Sequence, residues 1–229
     1  MEDRFEDEFV TWHHKTPIGV KVDEVFGMDS KSGKVWEELA RQIYCEMNPS
    51  SYREIDHFSN GAPFIVGYPG RISISHTSHF FVGACLPKTP ETDLSKFNPR
   101  TAMGIDVEST GRSKILSLRE RFLSEKELGL IPEDDIEKNI MAWTAKEALY
   151  KAAMTPGLDF RQNLMIEKLP VLDMSPEITS NPVLGEAIIL FEKDVKPIEQ
   201  EMILYSYLSY GTCVTIAISP NCAKFGTKQ

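Results

Sequence analysis

With 229 residues, 41% of them hydrophobic and 26% charged, the chain has the composition of an ordinary globular protein that can bury a sizeable core in one large domain or two small ones. A net charge of −9 argues against a general nucleic-acid binder, which needs a basic face to displace phosphate counterions. No apolar run approaches the roughly 20 residues that span a bilayer, and the acidic, polar stretch Met1–Glu8 reads as neither signal nor transit peptide, so a cytoplasmic protein is expected.

The first strong helical pattern is Gly33–Met47, where Val35, Leu39, Ile43 and Met47 recur at four-residue spacing. Ser32 is placed to cap its start and Asn48-Pro49 to end it. After the Asn60-Gly61 turn come strand-like segments at Phe64–Val66, Arg71–Ser75 and Phe80–Leu86. Residues 87–100 hold three prolines among mostly polar residues and read as a connection between two halves, 1–100 and 101–229. Ala102–Glu108 resumes a strand, and Leu116–Leu123 looks helical. Ser124 and Glu127 then form a Ser-x-x-Glu capping box. The longest helix is expected from Asp135 to Met154, stopped by Thr155-Pro156-Gly157. Strands follow at Glu186–Phe191, Met202–Tyr210 and Cys213–Ser219. In the last, Val214, Ile216 and Ile218 point one way and Thr215, Ala217 and Ser219 the other. Long helices with antiparallel-type strands and no regular strand–helix alternation indicate an α+β fold. The four cysteines, Cys45, Cys85, Cys213 and Cys222, form no Cys-x-x-Cys pair and read as reduced and structural.

Three segments carry candidate chemistry. On a strand, Asp106 and Glu108 of Gly104-Ile105-Asp106-Val107-Glu108 share a face, and a hard oxygen-only pair suits Mg²⁺. An exposed Asp-x-Glu is also a common solvated pair, so this segment alone decides little. In the helix, Trp143, Glu147 and Lys151 stand four apart on one face, as either an ordinary amphipathic face or the wall of a cleft. Finally, Ser73-Ile74-Ser75-His76-Thr77-Ser78-His79 closes a strand, but without a nearby cysteine or third histidine it gives little support to zinc.

Together these segments resemble the 4′-phosphopantetheinyl transferase superfamily. Ile74-Ser75-His76-Thr77, Gly104-Ile105-Asp106-Val107-Glu108 and Trp143 through Lys151 match its three motifs in order. Arg121-Phe122-Leu123-Ser124-Glu125-Lys126-Glu127 matches the Arg-Phe-(Phe/Leu)-Ser-x-x-Glu segment between the last two. Chain length and the His motif in first place are similar to the larger, surfactin-type subfamily. That implies a monomeric pseudo-dimer of two similar α/β halves, each a small antiparallel-rich sheet packed on a long helix, with the active site between them.

The resemblance implies transfer of phosphopantetheine from coenzyme A to a serine of an apo acyl, polyketide or peptidyl carrier protein, releasing adenosine 3′,5′-bisphosphate. It assigns Mg²⁺ to Asp106, Glu108 and Glu147. The general base is Glu147 or a metal-bound water, and Lys151 assists the leaving bisphosphate by charge or by a proton. It directs His76, Ser75, Arg71, Arg112 and Lys146 toward coenzyme A. Gly61-Ala62-Pro63 stands where the family often reads Gly-Lys-Pro, and Lys34, Arg41 and Arg53 compete for the nucleotide. A basic stretch from Arg112 to Lys126 is suited to an acidic carrier helix. The rival reading is a non-catalytic module that binds coenzyme A or the carrier on the same fold.

Overall fold

The computed structural model describes residues 9–27, 54–68, 70–86, 93–174, 181–192 and 197–222. The expected helix Gly33–Met47, Cys45, and the basic residues Lys34, Arg41 and Arg53 lie outside them, as does part of the expected connection. The fold is α+β with antiparallel sheets. Strands β1 (Phe9–Lys15), β2 (Lys21–Gly27), β5 (Ile72–His76) and β6 (Phe80–Cys85) form one sheet in the order β1-β2-β6-β5. A short hairpin, β3 (Ile55–His57) with β4 (Pro63–Ile65), lies apart from it. The second sheet comprises β7 (Met103–Ser109), β8 (Leu164–Lys168), β9 (Gly185–Phe191), β10 (Ile198–Ser209) and β11 (Thr212–Ile218), ordered β7-β11-β10-β9-β8.

The expected helical stretch Leu116–Leu123 is split. Ser113–Leu118 is a 3₁₀ helix, and only Arg119–Phe122 (α1) is α-helical. Helix α2 (Glu125–Leu130) begins with the anticipated box: the Ser124 side chain accepts from the Glu127 nitrogen, and Glu127 accepts from the Ser124 nitrogen. Helix α3 (Ile136–Ala153) is capped by the Asp135 side chain, which accepts from the Lys138 nitrogen, and ends at Met154 in the left-handed region.

Two apolar layers organise these elements. Ile140, Leu149 and Ala153 of α3 pack on Cys213 and Ala217 of β11 and on Leu204 of β10. The other face of the second sheet meets the first, where Val22, Phe80 and Val82 join Ile105, Val107, Val214 and Ile216. Strand β11 is therefore buried at every position, and its two alternating sets feed different cores. Full burial of one such aliphatic side chain is worth about 1.5–3 kcal/mol over leaving it exposed, so both layers contribute heavily.

A polar contact also joins the two sheets. Glu24 of β2 accepts from the Tyr207 hydroxyl (2.7 Å) and the Ser209 hydroxyl (2.7 Å) of β10, which satisfies a carboxylate that burial otherwise pushes toward protonation. Cys85 and Cys213 are buried free thiols, and burial first of all pushes the Cys213 thiol up to about 12.

Strand β7 touches α3 most closely at Gly104. A Cβ there would sit inside van der Waals contact of the Ala148 carbonyl oxygen and 2.7 Å from the Ala152 nitrogen, both of them backbone atoms that cannot step aside. Gly104→Ala is expected to cost about 3 kcal/mol by forcing the helix off the strand, lowering Tm by roughly 5–10 °C. Calorimetric melting checks this, and an unchanged Tm would show that α3 can shift freely.

Candidate active site

Close approach at Gly104 brings the carboxylates of β7 beside the functional face of α3. Asp106 is buried, and its Oδ1 accepts from the Lys151 ammonium (2.7 Å) and from the Ser75 hydroxyl (2.7 Å). Lys151 also donates to the Ile105 carbonyl at 3.0 Å. Glu108 is paired with Arg112, four residues on. Glu147, one helical turn before Lys151, is half-buried, and its carboxyl is pushed up to about 7. Burial is the largest cause and Asp106 the next; Lys151 opposes the shift, and Glu108 adds to it. Three acids thus sense one another across the β7–α3 junction, and such crowding favours either a proton or a cation.

Their oxygen-only chemistry fits a hard divalent ion such as Mg²⁺. Among the described residues, however, no three acids or other ligating side chains converge tightly enough to hold a metal as they stand. Lys151 and Arg112 supply the local positive charge instead.

Beside the acids lies a cavity of about 340 Å³, within the size range of small-molecule sites. Ser75 and His76 line it from β5, Ala62 and Phe64 from the hairpin, and Lys151 and Met154 from α3. The exposed His76 ring is 3.4 Å from the Thr77 carbonyl through Nδ1. Arg71 borders the cavity as well, and its guanidinium donates to Thr101 Oγ1 (3.1 Å), to the carbonyls of Leu94 (3.3 Å) and Lys96 (2.5 Å), and to the Met154 sulfur. Arg71 therefore fastens the chain between the sheets to the end of α3 in addition to facing the cavity.

Lys146 requires a correction. Expected near the ligand phosphates, it is fully buried and pairs with Glu127 (2.6 Å) while donating to the carbonyls of Phe160 (2.8 Å) and Leu164. Adjacent residues on a helix point about 100° apart, so Glu147 can face the cleft only while Lys146 faces the core. Asn60 had shown no signal beyond a turn dipeptide. It donates to the Ser95 carbonyl (2.9 Å) and the Met154 carbonyl (3.0 Å), tying the hairpin to the end of α3. Those partners lie 35 and 94 residues away, and nothing local announces them.

The motif segments read from the sequence thus meet beside one cavity of an α+β chain. The comparison with protein families agrees. Residues 102–194 match the model of the 4′-phosphopantetheinyl transferase superfamily, and this part of the chain carries Asp106, Glu108, Glu147 and Lys151. The match supports phosphopantetheine transfer as the general activity and coenzyme A as the general substrate of such enzymes. No curated protein matches the sequence. None of the helices among the described residues is long and apolar enough to cross a membrane.

The buried pair yields a stability prediction. Lys146→Met strands the Glu127 carboxylate and is expected to cost about 3–5 kcal/mol, whereas Lys146→Met with Glu127→Gln recovers much of it. Urea unfolding measures both variants. Coenzyme A affinity of the folded double variant should match the unaltered chain; a loss exceeding tenfold would return Lys146 to the ligand.

Proposed function

We propose that the chain transfers the phosphopantetheine arm of coenzyme A to a serine hydroxyl of an apo carrier protein and releases adenosine 3′,5′-bisphosphate. The carrying observation is the junction where the Asp106 carboxylate accepts from Lys151 (2.7 Å), one helical turn from Glu147, beside the cavity that Lys151 lines. The serine oxygen forms a new bond to the phosphorus bearing the pantetheine arm, and the phosphorus–oxygen bond to the bisphosphate breaks. The serine proton passes to Glu147 as general base or to a water beside it. Lys151 offers positive charge or a proton to the departing bisphosphate.

Asp106, Glu108 and Glu147 would hold Mg²⁺, which when bound supplies positive charge against the pyrophosphate and the developing transition state. In this reading Ser75 and His76 contact the nucleotide end, and Arg71 and Arg112 add charge near the phosphates. The two halves meet between residues 100 and 101 as a monomeric pseudo-dimer of the surfactin type, acting in the cytoplasm on an acyl, polyketide or peptidyl carrier.

The test is the intact mass of apo carriers after incubation with the chain, coenzyme A and Mg²⁺. One phosphopantetheine arm is expected. With EDTA, or with Glu147→Gln, the rate should fall by at least about 10²-fold, in line with loss of a general base. Wild-type rates in Glu147→Gln would remove the base from the proposal. Coenzyme A binding without transfer to any carrier class would favour the binding module.

Carrier recognition has a second signature. Within the basic stretch Arg112 holds Glu108, Arg119 donates to the Ile131 carbonyl, and Lys126 pairs with Glu167, while Lys114 and Arg121 stand exposed. Steering by exposed charge is screened at a Debye length of about 8 Å in physiological salt. The carrier KM is therefore expected to rise several-fold from 0.05 to 0.5 M salt, and less in Lys114→Gln/Arg121→Gln. A salt-independent KM would exclude steering.

A further inference from the structure

The hairpin joining β10 to β11 has positive φ at both turn residues, 45° at Tyr210 and 72° at Gly211. This pattern belongs to tight hairpins that favour Asn-Gly, and a bulky aromatic residue in the left-handed region is strained. The tyrosine does not redeem that strain by full burial. Its ring stacks on Phe26 (centroids 4.7 Å apart, planes at 12°) and meets the edge of Trp12 (6.5 Å, 76°), yet Tyr210 remains 41% exposed and Trp12 47%. Exposed, mutually braced aromatic rings are what protein interfaces use as anchors, and strain retained at one residue points toward function.

The patch adjoins the acids. The Thr110 nitrogen and hydroxyl both donate to the Gly211 carbonyl (3.1 and 2.9 Å), and Thr212 pairs with Ser109, next to Glu108. On the other side the Gly27 nitrogen donates to the His79 carbonyl, in the turn that follows His76. The cavity is lined by Met154, Thr155 and Pro156 at the end of α3 and by none of Thr110, Tyr210 or Gly211. In phosphoryl transfer the incoming and leaving oxygens stand roughly in line on opposite sides of phosphorus. In the transfer proposed above, a bisphosphate departing toward Lys151 and the cavity leaves the Glu108 end, past this rim, to the arriving hydroxyl. Beyond Thr110, exposed Lys114 adds positive charge to the same border.

We propose that Trp12, Phe26 and Tyr210 form the docking surface for the apo carrier protein. They receive the apolar face of the amphipathic, acidic helix beside its acceptor serine, while Lys114 meets its carboxylates. This rests on the transfer reaction proposed above.

Two variants remove the rings while preserving the backbone. Tyr210→Asn places a residue that tolerates the left-handed region in the turn, and Trp12→Thr keeps a strand former in β1. Steady-state transfer from coenzyme A to an acidic apo carrier is measured with each, alongside melting and sedimentation. The carrier KM should rise about tenfold, as for loss of an interface anchor, with the KM for coenzyme A and the Tm unchanged. A carrier KM within twofold of the unaltered chain in both variants overturns the docking surface and leaves the reaction standing. A dimer that Tyr210→Asn dissociates would make a second copy the occupant and overturn it too. No transfer by the unaltered chain to any carrier class would sink both the reaction and the surface.

Discussion

The contact between β7 and α3 at Gly104 sets the geometry on which the rest of the site depends. Asp106 and Glu108 ride on the strand, Glu147 and Lys151 on the helix, and their separation is fixed by how closely two backbones approach. With no side chain at Gly104, the strand lies against the Ala148 and Ala152 backbone, and the Lys151 ammonium can reach both the Asp106 carboxylate and the Ile105 carbonyl. The remaining freedom of β7 is removed from its two edges. Strand β11 pairs with it through seven residues, and on the other side Ser73 accepts from the Ile105 nitrogen (3.0 Å) while Ser75 donates to Asp106. One buried carboxylate is thereby positioned by a strand, a helix and a neighbouring sheet.

Electrostatics at the site follow from that placement. Gathering three acids in a half-buried junction is unfavourable unless each finds positive charge or a proton. Asp106 has Lys151, and Glu108 has Arg112. Burial first, and then the repulsion of Asp106 and Glu108, raise the affinity of Glu147 for a proton to the neutral range. Lys146 could have relieved it only by leaving Glu127 unpaired in the core. The helix thus separates a structural cation from a functional acid by a single residue step.

Local chemistry made much of this readable from sequence. The box at Ser124 and Glu127, the limits of α3 and the strand carrying Asp106 all rest on residues within a few positions of one another. Strands β1 and β2 escaped notice because Lys-Val-Asp-Glu-Val-Phe-Gly reads as polar, and the groups that satisfy Glu24 lie 183 and 185 residues away. Lys146 was misread for a related reason. Helical periodicity places neighbours on a face, but α3 is buried around most of its circumference, including Asn139 and Thr144, so a charged residue did not mark a solvent side. Asn60 had the same limitation, since its two acceptors come from a distant loop and a helix end.

The cavity belongs to the join between the sheets, with β5 and the hairpin forming one wall and α3 the other. At Ala62 that wall is apolar where family members often carry lysine, and the cations that remain beside it are already engaged. Arg71 holds backbone carbonyls, while Lys151 holds Asp106. An anionic ligand drawing Lys151 toward itself would loosen the hold on Asp106, and a ligand drawing Arg112 would do the same for Glu108. Each displacement leaves a buried or half-buried carboxylate in need of positive charge or a proton. The ion pairs of the junction and the cavity beside it therefore draw on the same few cations.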